Sequence, residues 1–438
     1  MRQNPYYILK EIEEDTYLVP FGQAIEACAL TIRVNDVTAF LWQELNRYPD
    51  ETALAGRVAE EYEVSPEDAA SLEEDVRGLL QNLRNLGILL EDMPAAEETE
   101  RAQNAGTGIA HADGCEDKPS ETVFEEDPLD AAAALSEEVP VHVVKIAGID
   151  LLFYGKEEYF SKNFMPFCED NYSEKRDADE KDSPVISIYI MERKPPKLAD
   201  LPRVLQGMTV SVDDGGEFYV MKSSETPMLR EGHLWKDGSK AVLYVDPDVD
   251  PAPENEQPLT AADCVFHAIR HVFLLRAQKI GMYVIHSASI LHNGKAWLFS
   301  ALSGTGKSTH TNIWHKLYNT PFLNGDLNLL AFEEGRPVVK GIPWCGTSGI
   351  CTTETYPLGG IILLARSKTN FIEEIPTAAR ILGIQMRFIS PKWSAEQAAD
   401  SLDFAKHIVE TAGVARLHCN MEDEAAEVCR AWIDGRDA

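Results

Sequence analysis

No run of apolar residues in this chain is long enough to cross a bilayer, which takes about 20 in succession. The opening residues, Met1-Arg2-Gln3-Asn4-Pro5, lack the apolar core of a secretory signal. Both absences point to a cytoplasmic protein without membrane contact. Positive charge is scarce as well: 40 Lys and Arg stand against 72 Asp and Glu, a formal net charge of −32. Nucleic-acid binding rests on neutralising phosphates with Lys and Arg, so this balance argues against that class. It favours solubility and the steering of basic partners. The eight cysteines (Cys28, Cys115, Cys168, Cys264, Cys345, Cys351, Cys419 and Cys429) form no Cys-x-x-Cys pair. That leaves a zinc site without support and fits a reducing compartment, with most thiols acting as small buried hydrophobes.

What the chain does carry is Ala301-Leu302-Ser303-Gly304-Thr305-Gly306-Lys307-Ser308-Thr309, after the apolar run 296–300 and before a helix-compatible run, 311–317. Strand, glycine-bearing loop, Lys-Ser-Thr, helix is an order that cradles phosphate. Backbone N–H groups and the helix N-terminus face the anion, Lys307 reaches the phosphates, and Ser308 can hold Mg²⁺. Ala301 stands where the usual pattern opens with Gly. The ligand class implied is a nucleoside triphosphate or a relative; an ordinary glycine turn between strand and helix is the other reading.

At 438 residues the chain is long enough for two or three domains. Four segments are expected, together a multidomain α+β protein. Residues 1–92 carry short strands at 6–9 and 16–19, then three helices. The first starts at the N-cap Asn35, with Val37, Leu41 and Leu45 on one face. The second presents Leu54, Val58 and Tyr62. The third opens on Ser65-Pro66-Glu67-Asp68 and buries Leu72, Val76, Leu79, Leu80, Leu83 and Leu86 before Gly87 ends it. Ile88-Leu89-Leu90 returns as a strand, and the whole suggests a winged helix-turn-helix. From Met1 to Leu90, 17 Asp and Glu outnumber 7 Lys and Arg, the wrong sign for a DNA reader.

Residues 93–140 form an acidic linker, expected to be disordered because little apolar surface offsets chain entropy. His111, Asp113 and Cys115 lie close together there, a poor basis for a metal site. Residues 141–258 read as a β-rich subdomain with strands near 141–146, 151–154, 185–191, 218–221 and 241–245, and a charged loop at 169–182. Residues 259–438 form an α/β domain around the phosphate loop. Its helix is capped by Thr260, a strand follows at 282–290, Asn293-Gly294 makes a hairpin turn, and 295–300 is the return strand. Further strands are expected near 322–323, 338–339, 360–364 and 414–418, with helices at 394–411 and 422–432.

Phosphate transfer also needs a metal and a carboxylate. Asp326, read as ending the apolar strand Pro321-Phe322-Leu323-Asn324-Gly325-Asp326, can hold Mg²⁺ or accept a proton from a hydroxyl; a solvated turn residue is the other reading. His286 lies in a strand that pairs by hairpin with the strand feeding the loop, and serves either there or as a satisfied core residue. Arg366, after an apolar strand, is placed to contact phosphate, with Lys368 and Lys340 as weaker candidates. Trp344-Cys345-Gly346-Thr347-Ser348-Gly349 reads as a substrate or phosphate loop, or as a plain turn.

At His286, Ser303-Gly304-x-Gly306-Lys307-Ser308-Thr309, Asp326 and Gly341-Ile342-Pro343-Trp344-Cys345-Gly346 the chain resembles the HPr kinase/phosphorylase family, related to phosphoenolpyruvate carboxykinases. The resemblance covers about 259–432. It implies ATP-dependent phosphorylation of a hydroxyl on a protein or peptide. Ser303, Gly304, Thr305, Gly306, Lys307, Ser308, Thr309 and Arg366 would hold ATP, Ser308 and Asp326 the Mg²⁺, and Asp326, His286 and Lys307 would be catalytic. Where the family shows two adjacent Asp residues, this chain has Gly325-Asp326.

The N-terminal segment, through Val34-Asn35-Asp36-Val37-Thr38, Trp42 and Leu86-Gly87-Ile88-Leu89, resembles PqqD-like peptide recognition elements. That resemblance implies capture of the leader of a ribosomally made precursor peptide by strand addition to a sheet edge. The reading reached is an ATP-dependent Ser/Thr peptide kinase. Its alternatives are a nucleotide-binding peptide chaperone without transfer, and a kinase of a small metabolite or phosphocarrier protein. A homo-oligomer is left open.

Overall fold

The computed structural model describes residues 1–27, 30–48, 50–90, 140–168, 183–198, 201–213, 216–222, 228–249, 259–301 and 305–437. The expected linker (all but its residue 140), the His111–Asp113–Cys115 group, the charged loop 169–182 and the loop residues Ser303 and Gly304 lie outside them. The chain is mixed α/β and divides into two compact units, Met1–Glu125 and Glu126–Ala438.

In the first unit β1 (Arg2–Gln3), β2 (Tyr7–Ile12) and β3 (Asp15–Pro20) precede a single turn α1 (Gln23–Glu26), then β4 (Ile32–Val34). Helices α2 (Asp36–Glu44), α3 (Glu51–Glu61) and α4 (Ala69–Asn85) follow, and β5 (Leu89–Leu90) closes the unit on β1. Strands β2, β3 and β4 form an antiparallel sheet with β4 at one edge. The caps are local: Asn35 Oδ1 accepts the Thr38 N–H at 2.9 Å, and Asp50 accepts that of Ala53 at 2.9 Å. Leu18, Leu41, Leu54, Val58, Val76, Leu80 and Leu83 share one core.

Three local expectations need correction. Ser65 does bond Asp68, but the turn they form stays outside α4, which starts at Ala69. Leu86 caps α4 and is 54 % exposed, and Tyr62 caps α3 with its ring outside the core. Both residues lie past the last full turn, where the helical face no longer points inward.

The second unit opens with an eight-stranded sheet in the order β6-β7-β8-β13-β12-β11-β10-β9. Its strands are β6 (His142–Ile146), β7 (Ile149–Tyr154), β8 (Val185–Met191), β9 (Arg203–Leu205), β10 (Met208–Asp213), β11 (Gly216–Met221), β12 (Leu229–Trp235) and β13 (Lys240–Val245). Helix α5 (Ala261–Lys279), held by a capping box between Thr260 and Asp263, is buried along most of its length. Val265, Ile269, Val272 and Phe273 from α5 join residues of both sheets of this unit in one core.

The second sheet contains β14 (Tyr283–His292), β15 (Lys295–Ser300), β16 (Leu327–Glu333), β17 (Arg336–Lys340), β18 (Thr355–Arg366), β19 (Phe371–Glu373) and β20 (Gly413–Cys419), in the order β15-β14-β16-β17-β18-β20-β19. β14 and β15 meet at the Asn293-Gly294 turn, both residues at positive φ as a tight hairpin requires. The twelve-residue β18 pairs antiparallel with β17 through Thr355, Tyr356 and Pro357, then parallel with both β15 and β20. Its Ile361-Ile362-Leu363-Leu364 run suits a strand covered on both faces. The helices here are α6 (Lys307–Tyr318), α7 (Thr377–Gln385), α8 (Ala395–Thr411) and α9 (Asp423–Asp437).

The expected strand at 322–323 is reduced to a single bridge between Ile290 and Phe322. Asp326 does not end a strand; it immediately precedes β16. The apolar signal of that strand, Leu327 to Phe332, follows the carboxylate rather than leading to it.

Candidate functional site

The loop after β15 delivers the chain into α6 through Gly306, whose φ of +112° and ψ of 25° lie where a side chain is strained. Among the described residues no side chain caps α6, and helix N-termini left open in this way attract anions. Lys307 opens that turn half-buried. Burial lowers its pKa below the ordinary lysine value; the Asp326 carboxylate opposes that shift and Arg387 adds to it.

Asp326 is brought within electrostatic reach of Lys307 by the turn between Asn324 and β16. That turn is built on buried hydrogen bonds. Asn328 Nδ2 donates to the Ser287 carbonyl at 2.7 Å, Ser289 Oγ to Asn328 Oδ1 at 2.7 Å, and Asn324 Nδ2 to the Leu327 carbonyl at 2.6 Å. The Ser287 N–H donates to the Asp326 carbonyl at 2.8 Å. On the same strand His286 Nε2 stands 2.9 Å from Asp326 Oδ1. This bond holds the Asp326 carboxyl below the usual carboxylate range, with Lys307 and Arg270 adding to the effect and partial burial opposing it.

The loop after Trp344 packs against Asp326. A Cβ placed on Gly346, itself at φ +62°, would lie 3.0 Å from Asp326 Cβ, so the loop backbone is in van der Waals contact with it. Gly325 meets Ser348 still more closely. This loop therefore belongs to the site as a wall.

The structure brings His286 and Asp326 together, with Lys307 within electrostatic reach of the carboxylate. It places Arg366 elsewhere around the loop, in a cavity of about 200 Å³ lined with Thr305, Gly306, Thr309, His310 and Asn420, where neither His286 nor Asp326 takes part. Ser308 is exposed on the first turn of α6. Lys340 is engaged by Glu333 on the neighbouring strand, and the Lys368 carbonyl accepts from Asn420.

Two cations escaped the sequence reading. The half-buried Arg387 donates from Nη1 to the Gly383 carbonyl at 2.6 Å, and its own carbonyl accepts the His286 N–H at 3.0 Å. Arg270 lies on α5 within electrostatic reach of Asp326. Its signal was present: a guanidinium amid Phe266, Ile269, Val272 and Phe273 needs a reason to be there.

Among the described residues no group of three or more His, Cys, Asp or Glu could hold a metal. A hydroxyl and a carboxylate with the remaining positions left to phosphate oxygens and water is nonetheless a donor set that suits Mg²⁺. Among them, too, no helix is long and apolar enough to cross a membrane.

Residues 31–89 match the family described as "Coenzyme PQQ synthesis protein D (PqqD)". The matched stretch runs from β4 to the first residue of β5 and includes all three main helices of the first unit. A solved structure titled "Structure of the Hpr(Ser) kinase/phosphatase from Coxiella burnetii" aligns at 10 % identity, over 35 % of this chain and 99 % of that chain, with a TM-score of 0.22. That overlap is too loose to carry a fold or an activity across. No curated protein matches the sequence.

Proposed function

We propose that this chain is an ATP- and Mg²⁺-dependent kinase of a Ser or Thr hydroxyl on a ribosomally made precursor peptide. The observation that carries the reading is the Asp326 carboxylate, held by His286 and within electrostatic reach of Lys307, which opens α6. A phosphate bound at that end would meet positive charge from Lys307, with Arg387 within electrostatic reach of it. Ser308 and Asp326 would hold the metal, which supplies charge neutralisation on the phosphate oxygens.

Asp326 engages His286 through Oδ1, and its charge suits it to orient an incoming hydroxyl and accept its proton. His286 holds the carboxylate, and Gly346 packs beside it. The cavity beside Arg366 and Asn420 is placed to take the nucleoside end of the same ligand.

The PqqD match supports peptide capture by the first unit. The edge strand β4 offers unpaired backbone groups to which an extended leader can add. Because both units share one chain, a peptide held by one meets the other at an effective concentration of roughly millimolar.

The test is calorimetry with MgATP on the full chain, followed by mass spectrometry of Ser/Thr-containing peptides. Uptake of nucleotide and a one-phosphate mass gain are expected. Absence of nucleotide binding would end the reading. A second reading, presentation of the peptide without transfer, is favoured by Gly325 standing beside the lone Asp326; nucleotide binding without any phosphopeptide would select it.

A further inference from the structure

The loop lying on Asp326 is closed at its neck by two cysteines. Cys345 and Cys351 are both free thiols, and they lie close enough for each to shift the other's ionisation. Between them the turn Gly346–Ser348 is tightly braced. Ser348 Oγ donates to the Cys345 carbonyl at 2.7 Å and accepts the Ile350 N–H at 3.2 Å, while the Gly325 N–H donates to the Ile350 carbonyl at 3.1 Å. The contacts at Gly346 and Gly325 leave no room between this turn and the Asp326 segment. A change at the neck is therefore transmitted to the carboxylate.

We propose that Cys345 and Cys351 form a reversible disulfide in the presence of a peroxide, and that closing this bond shifts the turn against Asp326 and switches the site off. The switching half rests on the role given to Asp326 above; the thiol chemistry does not. Cys351 is half-buried and Cys345 buried, so Cys351 is the sulfur a small oxidant reaches first. The neighbouring Cys345 pulls the Cys351 thiol down to about 7, whereas burial pushes that of Cys264 up to about 11. A thiolate, not a thiol, is the attacking species.

The steps balance. The Cys351 thiolate attacks one peroxide oxygen, the O–O bond breaks, and the departing hydroxide takes up the proton that Cys351 released, giving sulfenic acid and water. The Cys345 sulfur then attacks the sulfenic sulfur, and the S–O bond breaks. The departing hydroxide takes the Cys345 proton and leaves as a second water. Two thiols lose two electrons in all, and the peroxide gains them. A dithiol reductant restores both thiols by exchange.

The experiment uses the full-length chain, hydrogen peroxide as oxidant, maleimide blocking and trypsin. Both cysteines fall in one peptide, between Lys340 and Arg366. After peroxide this peptide should lack two hydrogens and take no maleimide. Dithiothreitol given first should restore two labels, while Cys264 and Cys429 stay reduced throughout. Two labels after peroxide, or separate over-oxidation without pairing, would overturn the proposal.

Oxidised protein should lose transfer on the order of 10²-fold, the scale of a small misplacement at a reacting centre. Its affinity for MgATP should fall on the order of tenfold. Cys351→Ser and Cys345→Ala should each be insensitive to peroxide in both readouts. Unchanged rate and affinity in the oxidised protein would sink the switch. A protein inactive even when reduced would sink the kinase reading instead, and the affinity for MgATP then decides the switch alone.

Discussion

His286 Nε2 and Asp326 Oδ1 stand 2.9 Å apart across 40 positions of sequence. The Ser287 N–H to Asp326 carbonyl bond at 2.8 Å locks the two backbones beside them. Asp326→Asn keeps the size of the side chain and removes its charge. Phosphotransfer should fall on the order of 10²–10⁴-fold, the usual scale for a proton-transfer group. Transfer rates on a phosphorylatable peptide, with circular dichroism as a check on folding, decide it. A near-normal rate would remove Asp326 from the chemistry.

The same pair makes stability depend on pH. The folded-state pKa of Asp326 is lowered, so the pair stabilises the protein above the unfolded carboxyl value of about 3.9. That contribution is lost as pH falls through the folded pKa. Urea titrations should therefore show Asp326→Asn destabilising near neutrality, with the gap to wild type closing below about pH 4. A gap that stays constant with pH would contradict the pairing.

Lys307 sets the alkaline side. Its pKa lies below the ordinary 10.5, chiefly through burial, so affinity for MgATP should decline before pH reaches that value. Lys307→Arg should push the decline to higher pH, because a guanidinium keeps its proton. Lys307→Ala should abolish transfer and leave peptide capture by the first unit intact. Calorimetry across a pH series reads the first two, and a peptide pull-down reads the third.

Gly346 and Gly349 form a matched pair of probes. Both sit at positive φ, +62° and +65°, so alanine at either should cost about 1–2 kcal/mol of stability. Only at Gly346 does the new methyl meet Asp326; at Gly349 it meets nothing within 4 Å. Gly346→Ala should thus lose transfer well beyond Gly349→Ala at comparable stability. Equal losses would mean that the loop does not act on the carboxylate.

Leu54, wholly buried in the first unit, tests the division of labour. Leu54→Ala should cost about 2–5 kcal/mol within that unit. Peptide capture should fail while affinity for MgATP is unchanged. A parallel loss of nucleotide affinity would contradict separate roles for the two units.

Local chemistry made part of this readable in advance. The Asn35 and Thr260 caps, the Asn293-Gly294 hairpin and the left-handed Gly306 ahead of α6 each depend on residues a few positions apart, and each stands where the spacing put it. α4 starts later than the Ser65-Pro66-Glu67-Asp68 signal implies because Ser65 and Asp68 satisfy each other in a turn without starting the helix. Asp326 precedes its strand rather than ending one, and the apolar residues before it, Phe322 and Leu323, resemble those after it.

By itself, the sequence determined that a glycine-bearing segment ending in Lys307 would join a strand to a helix, since backbone conformation and capping act over single turns. Only the tertiary structure decided that Asp326 would meet His286, that Arg387 would come within electrostatic reach of Lys307 and Arg270 within that of Asp326, and that the turn at Gly346 would pack against Asp326. These meetings join residues of different strands, helices and loops. They are set by how β14, β16, α5 and the loop after Trp344 pack together, which no short window of residues encodes.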